Sequence, residues 1–331
     1  MNLILYCLHF TPAALIYYHT STTNSFAPTK FVLLNNSNMK NKTIQQIFTP
    51  PAAHMVGDGF KVHNFFPGGN KIGIQRMSPF FLMDYNAKTY LPPTDKPRGV
   101  GVHPHRGFET VTIAYHGKVA HHDSAGNSGI IGEGDVQWMT AGSGVLHKEY
   151  HEKEFSKSGG DFQMVQLWVN LPAKDKMHTP RYQEITNVNM GFHTIDDHGS
   201  IVEVIAGNYN NTTGPAKTFT PIEMYNVKLK QNATAGFTLP ENYNTGLLII
   251  KGSVIINEAE TAPENHFVLF NNDGEKFTIK ATEDSIVLLL SGEPINERIF
   301  AYGPFLMNSR EEIEQAYSDY NLGKFGYIDE E

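Results

Sequence analysis

The feature that most constrains the fold is the regular interruption of short apolar runs by turn residues. From residue 54 onward, short apolar or alternating runs are separated by Gly, Pro, Asn and Asp. The turn signals recur about every 8–12 residues, a spacing typical of β-sandwiches and barrels. Gly (29) and Pro (18) are frequent and charged residues make up only 18% of the chain, so the composition also favours turn-rich β structure over helical bundles.

Individual strands can be placed from alternation and from β-branched or aromatic content. The clearest candidates are residues 110–115, 136–140, 163–170, 223–230, 247–251, 253–257 and 285–290. One helix is predicted to begin after Ser309, which forms a capping box with Glu312, and to end at Gly323. Its predicted apolar face consists of Ile313, Ala316, Tyr317 and Tyr320.

The chain of 331 residues exceeds the usual size of one hydrophobic core, so two domains are expected. A short internal match supports a duplication: TIAYHGKV (112–119) is similar to LLIIKGSV (247–254). In both segments a strand ends in a polar residue and a glycine, and a new strand follows. The match aligns Gly117 with Gly252 and predicts two related β-domains.

The first residues of the chain bear on the location of the protein, and its net charge bears on its partners. Residues 3–18 are apolar but lack a basic start, and Met39 follows a polar stretch, so residues 1–38 are predicted to be disordered or absent from the working protein. A degenerate signal within residues 1–20 is the alternative to a cytoplasmic location. A net charge of −8 without a long basic run argues against direct nucleic-acid binding, and the single cysteine, Cys7, allows no internal disulfide.

Two short motifs have the spacing of metal ligands. His103 and His105 are two residues apart, so in a strand both imidazoles point to the same face. His147 and Glu149 have the same spacing and follow a turn of small residues at 140–144. Either pair alone is more often a pair of surface side chains. Together they predict a site with nitrogen and oxygen ligands, which suits Fe(II) and also Mn, Co, Ni, Cu or Zn.

Other titratable residues near these motifs are weaker candidates for metal ligands. His116, His121 and His122 are expected to be surface residues near hairpins, and His151 is expected to be solvated because it lies in a charged run. Glu109 shares its parity with the first histidine pair, and could therefore also face inward.

At this point the sequence is similar to the pirin family of the cupin superfamily. The likeness lies in four segments: HPHRGFETVT (103–112), GDVQWMTAGSGVLHKE (134–149), QLWVNLPAKDKM (166–177) and GPFLMNSREEI (303–313). It extends over nearly all of the chain beyond the doubtful start. The resemblance implies an all-β bicupin, with two facing antiparallel barrels of jelly-roll type and a few short helices, one of them near the C-terminus.

The resemblance also implies where the metal lies. Residues 39–175 would form the N-terminal metal-binding barrel and residues 176–331 a metal-free C-terminal barrel with the terminal helix. The ligands would be His103, His105, His147 and Glu149, and Glu109 would not bind the metal. The glycine alignment places Thr238 and Pro240 opposite the first two histidines, so the second barrel lacks their counterparts.

Two functions are consistent with this resemblance. The first is a quercetin 2,3-dioxygenase-type reaction of O₂ with flavonols or other enolisable aromatic substrates, with Glu149 as metal ligand and general base. Trp138 and Met139 would then shape the substrate slot, unless they belong to the core. The second is a non-enzymatic regulator that binds a protein partner according to its Fe(II)/Fe(III) state. Either protein is expected to be a cytoplasmic monomer that binds no membrane.

Overall fold

The computed structural model describes residues 39–69 and 72–328, which form antiparallel β-sheets with little helix. The predicted extension, residues 1–38, lies outside the described residues. The described residues form 26 strands and two α-helices. None of their helices is long and apolar enough to span a bilayer.

The first half of the chain forms twelve strands and one short helix. These are β1 (Ile44–Phe48), β2 (His54–Val56), β3 (Phe60–Phe66), β4 (Phe80–Leu91), β5 (Gly99–His105), β6 (Phe108–His116), β7 (Val119–Asp123), β8 (Ser128–Ile131), β9 (Val136–Thr140), β10 (Val145–His151), α1 (Lys153–Ser158), β11 (Gly160–Asn170) and β12 (Arg181–Ile185). A 3₁₀ turn at Ala173–Asp175 follows β11.

The second half repeats this pattern and ends in a longer helix. Its elements are β13 (Gly191–Thr194), β14 (Ile201–Ala206), β15 (Asn208–Tyr209), β16 (Thr212–Thr213), β17 (Ile222–Leu229), β18 (Thr234–Thr238), β19 (Asn244–Lys251), β20 (Ser253–Ile256), β21 (Glu260–Pro263), β22 (Phe267–Phe270), β23 (Lys276–Ala281), β24 (Ser285–Gly292), β25 (Phe300–Tyr302), β26 (Phe305–Met307) and α2 (Arg310–Asn321).

Each barrel consists of one seven-stranded and one four-stranded sheet. The first barrel has the orders β12-β9-β6-β11-β4-β3-β2 and β5-β10-β7-β8, and the second has β1-β22-β19-β24-β17-β14-β13 and β18-β23-β20-β21. The two pairs of sheets correspond strand by strand, apart from the end strands β12 and β1. Gly117 and Gly252 separate corresponding strands at φ +81° and +76°, so the predicted duplication is confirmed.

The two seven-stranded sheets pack against each other and share one core. Phe65 on β3 and Phe267 on β22 lie 5.7 Å apart between ring centroids. Buried residues of both sheets, including Trp138, Val165 and Leu248, belong to the same hydrophobic cluster. The prediction of two facing antiparallel barrels is therefore confirmed.

Two segments cross between the halves of the chain. Strand β1 pairs with β22 and so completes the sheet of the second barrel. The C-terminal hairpin and α2 instead pack on the first barrel, where Arg106 forms a buried ion pair with Asp319 at 2.9 Å. Lys176 also links the first barrel to the C-terminal hairpin. Its Nζ donates to the carbonyl of Gly107 and to that of Leu306 in β26, both at 2.8 Å. The domain boundaries at 39–175 and 176–331 remain a prediction.

The predicted elements agree with the observed ones to within a few residues. All seven predicted strands are present, as β6, β9, β11, β17, β19, β20 and β24. The capping box of Ser309 and Glu312 is confirmed. The predicted apolar face of α2 is only half right: Ile313 and Ala316 are buried, but Tyr320 is 39% exposed.

Candidate metal centre

Two neighbouring strands bring the predicted ligands together. On β10 buried and partly exposed residues alternate. His147, Glu149 and His151 therefore lie on the same, inward face of the strand. His147 stands directly opposite His103 of β5 in the antiparallel register. The ring centroid of His147 lies 4.2 Å from that of His103 and 4.7 Å from that of His105.

The ligand atoms fall into two overlapping groups. Those of His103, His105 and His147 all lie within 4.8 Å of one another. Those of His147 and Glu149 lie within the same distance of each other and of His121. The structure thus brings the four predicted residues to one place, with His147 common to both groups, and adds a histidine that the sequence had not indicated.

The hydrogen bonds of the imidazoles leave one nitrogen of each free. Nδ1 of His103 lies 2.8 Å from the carbonyl oxygen of Gly101, and Nδ1 of His105 lies 3.3 Å from that of Pro304. Nδ1 of His147 lies 3.4 Å from Nδ1 of His121. Fixing one ring nitrogen in this way is typical of histidines that bind a metal through the other.

Three buried atoms at the centre lack a hydrogen-bond partner among the described residues. Two belong to predicted ligands, Nε2 of His147 and Oε1 of Glu149, and the third is Nε2 of His121. The other carboxylate oxygen, Oε2, accepts a hydrogen bond of 2.8 Å from Nε2 of Gln166. Because buried polar atoms are normally satisfied, unpartnered nitrogen and oxygen atoms that converge fit a transition-metal ion.

Burial also keeps the histidines in the state that binds metal. Loss of solvent lowers the pKa of His105 and of His147 well below the ordinary value, and the neighbouring imidazole of His103 lowers both further. Both rings are therefore neutral at physiological pH. A neutral imidazole has the free lone pair that a metal requires.

The centre opens into a cavity of about 310 Å³. His103, His105 and Glu149 lie on its wall together with two further polar residues, Asp84 and Gln166. The rest of the lining is apolar or small: Val56, Phe60, Val62, Val100, Met164, Trp168, Gly303 and Pro304. Trp168 stacks on Phe108 with a centroid distance of 4.2 Å. A cavity of this size that combines apolar side chains with a few polar groups is typical of sites for small organic ligands.

Of the two alternatives for Trp138 and Met139, the core position is the one observed. Trp138 belongs to the core between the barrels and Met139 packs against Ala141 and Val145, so neither lines the cavity. Trp168 lines it instead. The alternation along β11 could have revealed this, since Trp168 shares a face with Gln166.

The expected surface positions of two histidines are wrong. His121 is fully buried because β7 is an inner strand that pairs with both β10 and β8. His151 is only 3% exposed and packs among the rings of Phe60, Phe155 and Phe162. The charged run misled the second prediction, because His151 ends β10 whereas the charged residues that follow it, 152–154, cap and begin α1.

Glu109 faces away from the centre, contrary to its parity with the first histidine pair. Gly107, at φ +89°, lies between β5 and β6 and breaks the alternation. Glu109 therefore points toward the second barrel, where its carboxylate accepts a hydrogen bond of 2.7 Å from Thr140 and lies 3.6 Å from Arg181. Burial raises the pKa of Glu109 to about 7.

The second barrel has no histidine at the corresponding positions. Thr238 was expected to lie opposite the first motif, but its side chain is exposed, and the inward residues there are Phe237 and Leu239. The alignment from glycine to glycine was one residue off in this strand. The expectation of a metal-free second barrel remains a prediction, supported by these apolar replacements.

A duplicated barrel with imidazole and carboxylate groups in one copy defines the bicupin class. Within that class the chain belongs to the pirin family. The family model for pirin matches residues 59–169, and the one for the pirin C-terminal cupin domain matches residues 224–326.

Similar proteins agree with this assignment. The chain is 45% identical to a Pseudomonas aeruginosa protein named "Putative quercetin 2,3-dioxygenase", over 86% of this chain and 98% of that protein. It is 35% identical to Pirin-1 of Arabidopsis thaliana, over 82% of this chain and 90% of that protein. A crystal structure of quercetin 2,3-dioxygenase from Acinetobacter baumannii has a TM-score of 0.83 and 44% identity, covering 88% of this chain and all (100%) of that chain.

Proposed function

We propose that this protein binds one divalent transition metal, Fe(II), through His103, His105, His147 and Glu149, and catalyses a quercetin 2,3-dioxygenase-type reaction. Its substrates would be flavonols or other enolisable aromatic molecules, together with O₂. The observation that supports this most is the pair of unpartnered atoms, Nε2 of His147 and Oε1 of Glu149, beside a cavity whose wall includes Glu149. The names of the Pseudomonas and Acinetobacter relatives point to the same chemistry.

The residues present have clear tasks in such a reaction. A bound metal would act as a Lewis acid toward the enolic oxygen and as a template for O₂. Glu149 would loosen from the metal and take the proton of the enolic hydroxyl at Oε1, the oxygen that Gln166 leaves free. Trp168 and the apolar residues of the cavity would hold the aromatic rings and exclude water.

The experiment is anaerobic loading of the purified chain with Fe(II), measurement of the bound metal, and addition of quercetin and O₂. We expect about one iron per chain, consumption of flavonol and release of CO. Parallel samples with Mn, Co, Ni, Cu and Zn test which metal supports turnover. Metal-replete protein that turns over neither flavonols nor other enolisable aromatic molecules would exclude the enzymatic function.

A variant separates the two tasks of Glu149. Glu149→Gln retains a carbonyl oxygen for the metal but has no basic oxygen, so turnover should fall at least about 100-fold while metal is retained. Full activity of this variant would remove the general-base role. The redox-responsive regulator is tested by comparing proteins that bind the ferrous and ferric forms, and identical partners would exclude it.

The cytoplasmic location and the monomeric state are also proposals. Fractionation of cells that produce the full chain tests the first. Sedimentation of the purified protein tests the second. The domain boundaries at residues 39–175 and 176–331 are supported by the separate matches to residues 59–169 and 224–326.

A further inference from the structure

His121 contacts the candidate centre without lying on its cavity wall. It stands opposite Glu149 in the register of β7 and β10, and its side chain is fully buried. Its Nδ1 lies 3.4 Å from Nδ1 of His147, and its Nε2 lies 3.6 Å from a carboxylate oxygen of Asp123. Its ring stacks on Tyr182 with 18° between the planes. His121 is therefore held between a candidate ligand and a carboxylate.

The three imidazoles of the centre differ in what holds their Nδ1 atoms. For His103 and His105 the neighbour is a main-chain carbonyl, whereas for His147 it is the side chain of His121. An imidazole that offers Nε2 to a metal keeps its proton on Nδ1. Nδ1 of His147 must then donate, so Nδ1 of His121 accepts, and the proton of His121 resides on Nε2.

Asp123 is well placed to stabilise this arrangement. One of its carboxylate oxygens, Oδ1, accepts from the main-chain N–H groups of Ala125 and Asn127, each at 2.9 Å. The other, Oδ2, accepts from Nδ2 of Asn127 at 2.9 Å and lies 3.6 Å from Nε2 of His121, which has no hydrogen-bond partner among the described residues. A carboxylate fixed in this way favours the proton on Nε2 and leaves Nδ1 as an acceptor.

We propose that His121 is a positioning residue of the metal centre, and that with Asp123 it sets the tautomer and orientation of His147. The inference rests on metal binding by the proposed function and goes beyond its ligand set. Partners of this kind commonly change metal affinity 10- to 100-fold when they are removed. The competing assignment makes His121 a direct ligand, since its ligand atom lies within 4.8 Å of those of His147 and Glu149.

The main experiment compares three variants of the full chain by Co(II) affinity in chelator competition. His121→Phe keeps a ring against Tyr182 but removes the acceptor, so the affinity should fall about 10- to 100-fold. His121→Asn places an amide oxygen near the position of Nδ1 and should restore the affinity to within a few-fold of the original protein. His122→Phe is the matched control, because His122 stacks on Tyr150 on the other face of β7 and should not affect binding.

X-ray absorption of the Co(II) forms distinguishes positioning from ligation. With a positioning role, the original protein and His121→Phe have the same number of imidazole ligands. One imidazole fewer in His121→Phe would overturn the inference in favour of direct ligation. Unchanged affinity in His121→Phe would overturn it too, while leaving the proposed function intact.

A measurement on the unaltered chain does not depend on whether a variant folds. With Zn(II) bound, ¹⁵N NMR of the histidines should find the proton of His147 on Nδ1 and that of His121 on Nε2. A proton on Nδ1 of His121 would contradict the inference. A protein that binds none of these metals would remove the proposed function and this inference together.

Discussion

The two barrels have corresponding strands but opposite interiors. In the first, His103 stands opposite His147, and in the second the corresponding pair is Phe237 opposite Phe277. The histidine rings are 4.2 Å apart and the phenylalanine rings 5.2 Å apart, between centroids. One backbone arrangement therefore supports either two facing imidazoles or two stacked apolar rings.

The comparison extends to the other residues of the centre. His121 opposite Glu149 corresponds to Ile256 opposite Ile279. His105 corresponds to Leu239, which is also buried. The second barrel fills these positions with apolar side chains, which stabilise it by burial, whereas the first carries polar groups whose desolvation costs stability. The difference teaches that the apolar core and the proposed metal centre are divided between corresponding positions of the two copies.

The largest expected effect is on metal binding. His147→Ala removes the residue shared by both ligand groups, so the affinity for Fe(II) or Co(II) should fall at least about 1000-fold, or about 4 kcal/mol. Isothermal titration of metal into the apoprotein measures it. Phe277→Leu, at the corresponding position of the second barrel, should leave the affinity unchanged; a loss there would show that the interiors are coupled.

In the second barrel a substitution should change stability and leave metal affinity unchanged. Phe277→Ala leaves a cavity in its core and should reduce the free energy of unfolding by about 3–5 kcal/mol without changing metal affinity. Urea unfolding measures the free energy of unfolding. Phe300→Ala is the control, since that ring is 38% exposed and its loss should cost less than about 1 kcal/mol. Equal costs would argue against a tightly packed second interior.

A pH-dependent difference is expected at the face between the barrels. Burial raises the pKa of Glu109 to about 7, from an ordinary value of 4.5, while Asn244 at the corresponding position is neutral. The folded state keeps the proton where the unfolded state has lost it, so stability declines as the pH rises from 4.5 to 7. Glu109→Gln should remove this decline, worth about 3 kcal/mol by pH 7. The measurement is urea unfolding at pH 5 and pH 8. The same free energy of unfolding of the original protein at both pH values would contradict the prediction.

The smallest effect should come from making the first barrel resemble the second at one position. Gln166 corresponds to Leu289 in the aligned strands, so Gln166→Leu copies the apolar barrel. It removes the hydrogen bond to Glu149 and should lower kcat/KM and metal affinity about 10-fold each. Steady-state kinetics on the iron-loaded protein measures the first. An unchanged kcat/KM would mean that Glu149 needs no such support.

The sequence predicted the parts of the molecule that depend on local pattern. Strand alternation located β9 and β11, the capping box located α2, and two spaced pairs located four residues of the centre. Side chains brought close by strand pairing were missed. His121 has no local ligand motif, and it reaches His147 only because β7 pairs with β10.

Other errors came from breaks in regularity. Gly107 reverses the face of Glu109 relative to His105, and no parity rule extends through such a turn. The pairing of β1 with β22 joins residues more than 200 positions apart, as with Ile44 and Phe270. Such long-range contacts follow from the packing of the whole chain rather than from any window of sequence.

The C-terminal hairpin has a consequence for the order in which the protein matures. Gly303 and Pro304 form part of the cavity wall, and the carbonyl of Pro304 is the neighbour of Nδ1 of His105. During synthesis the four candidate ligands leave the ribosome more than 150 residues before this part of the wall is made. A metal ion bound during translation would therefore enter a site that lacks these contacts, whereas one bound by the mature chain would enter the complete site.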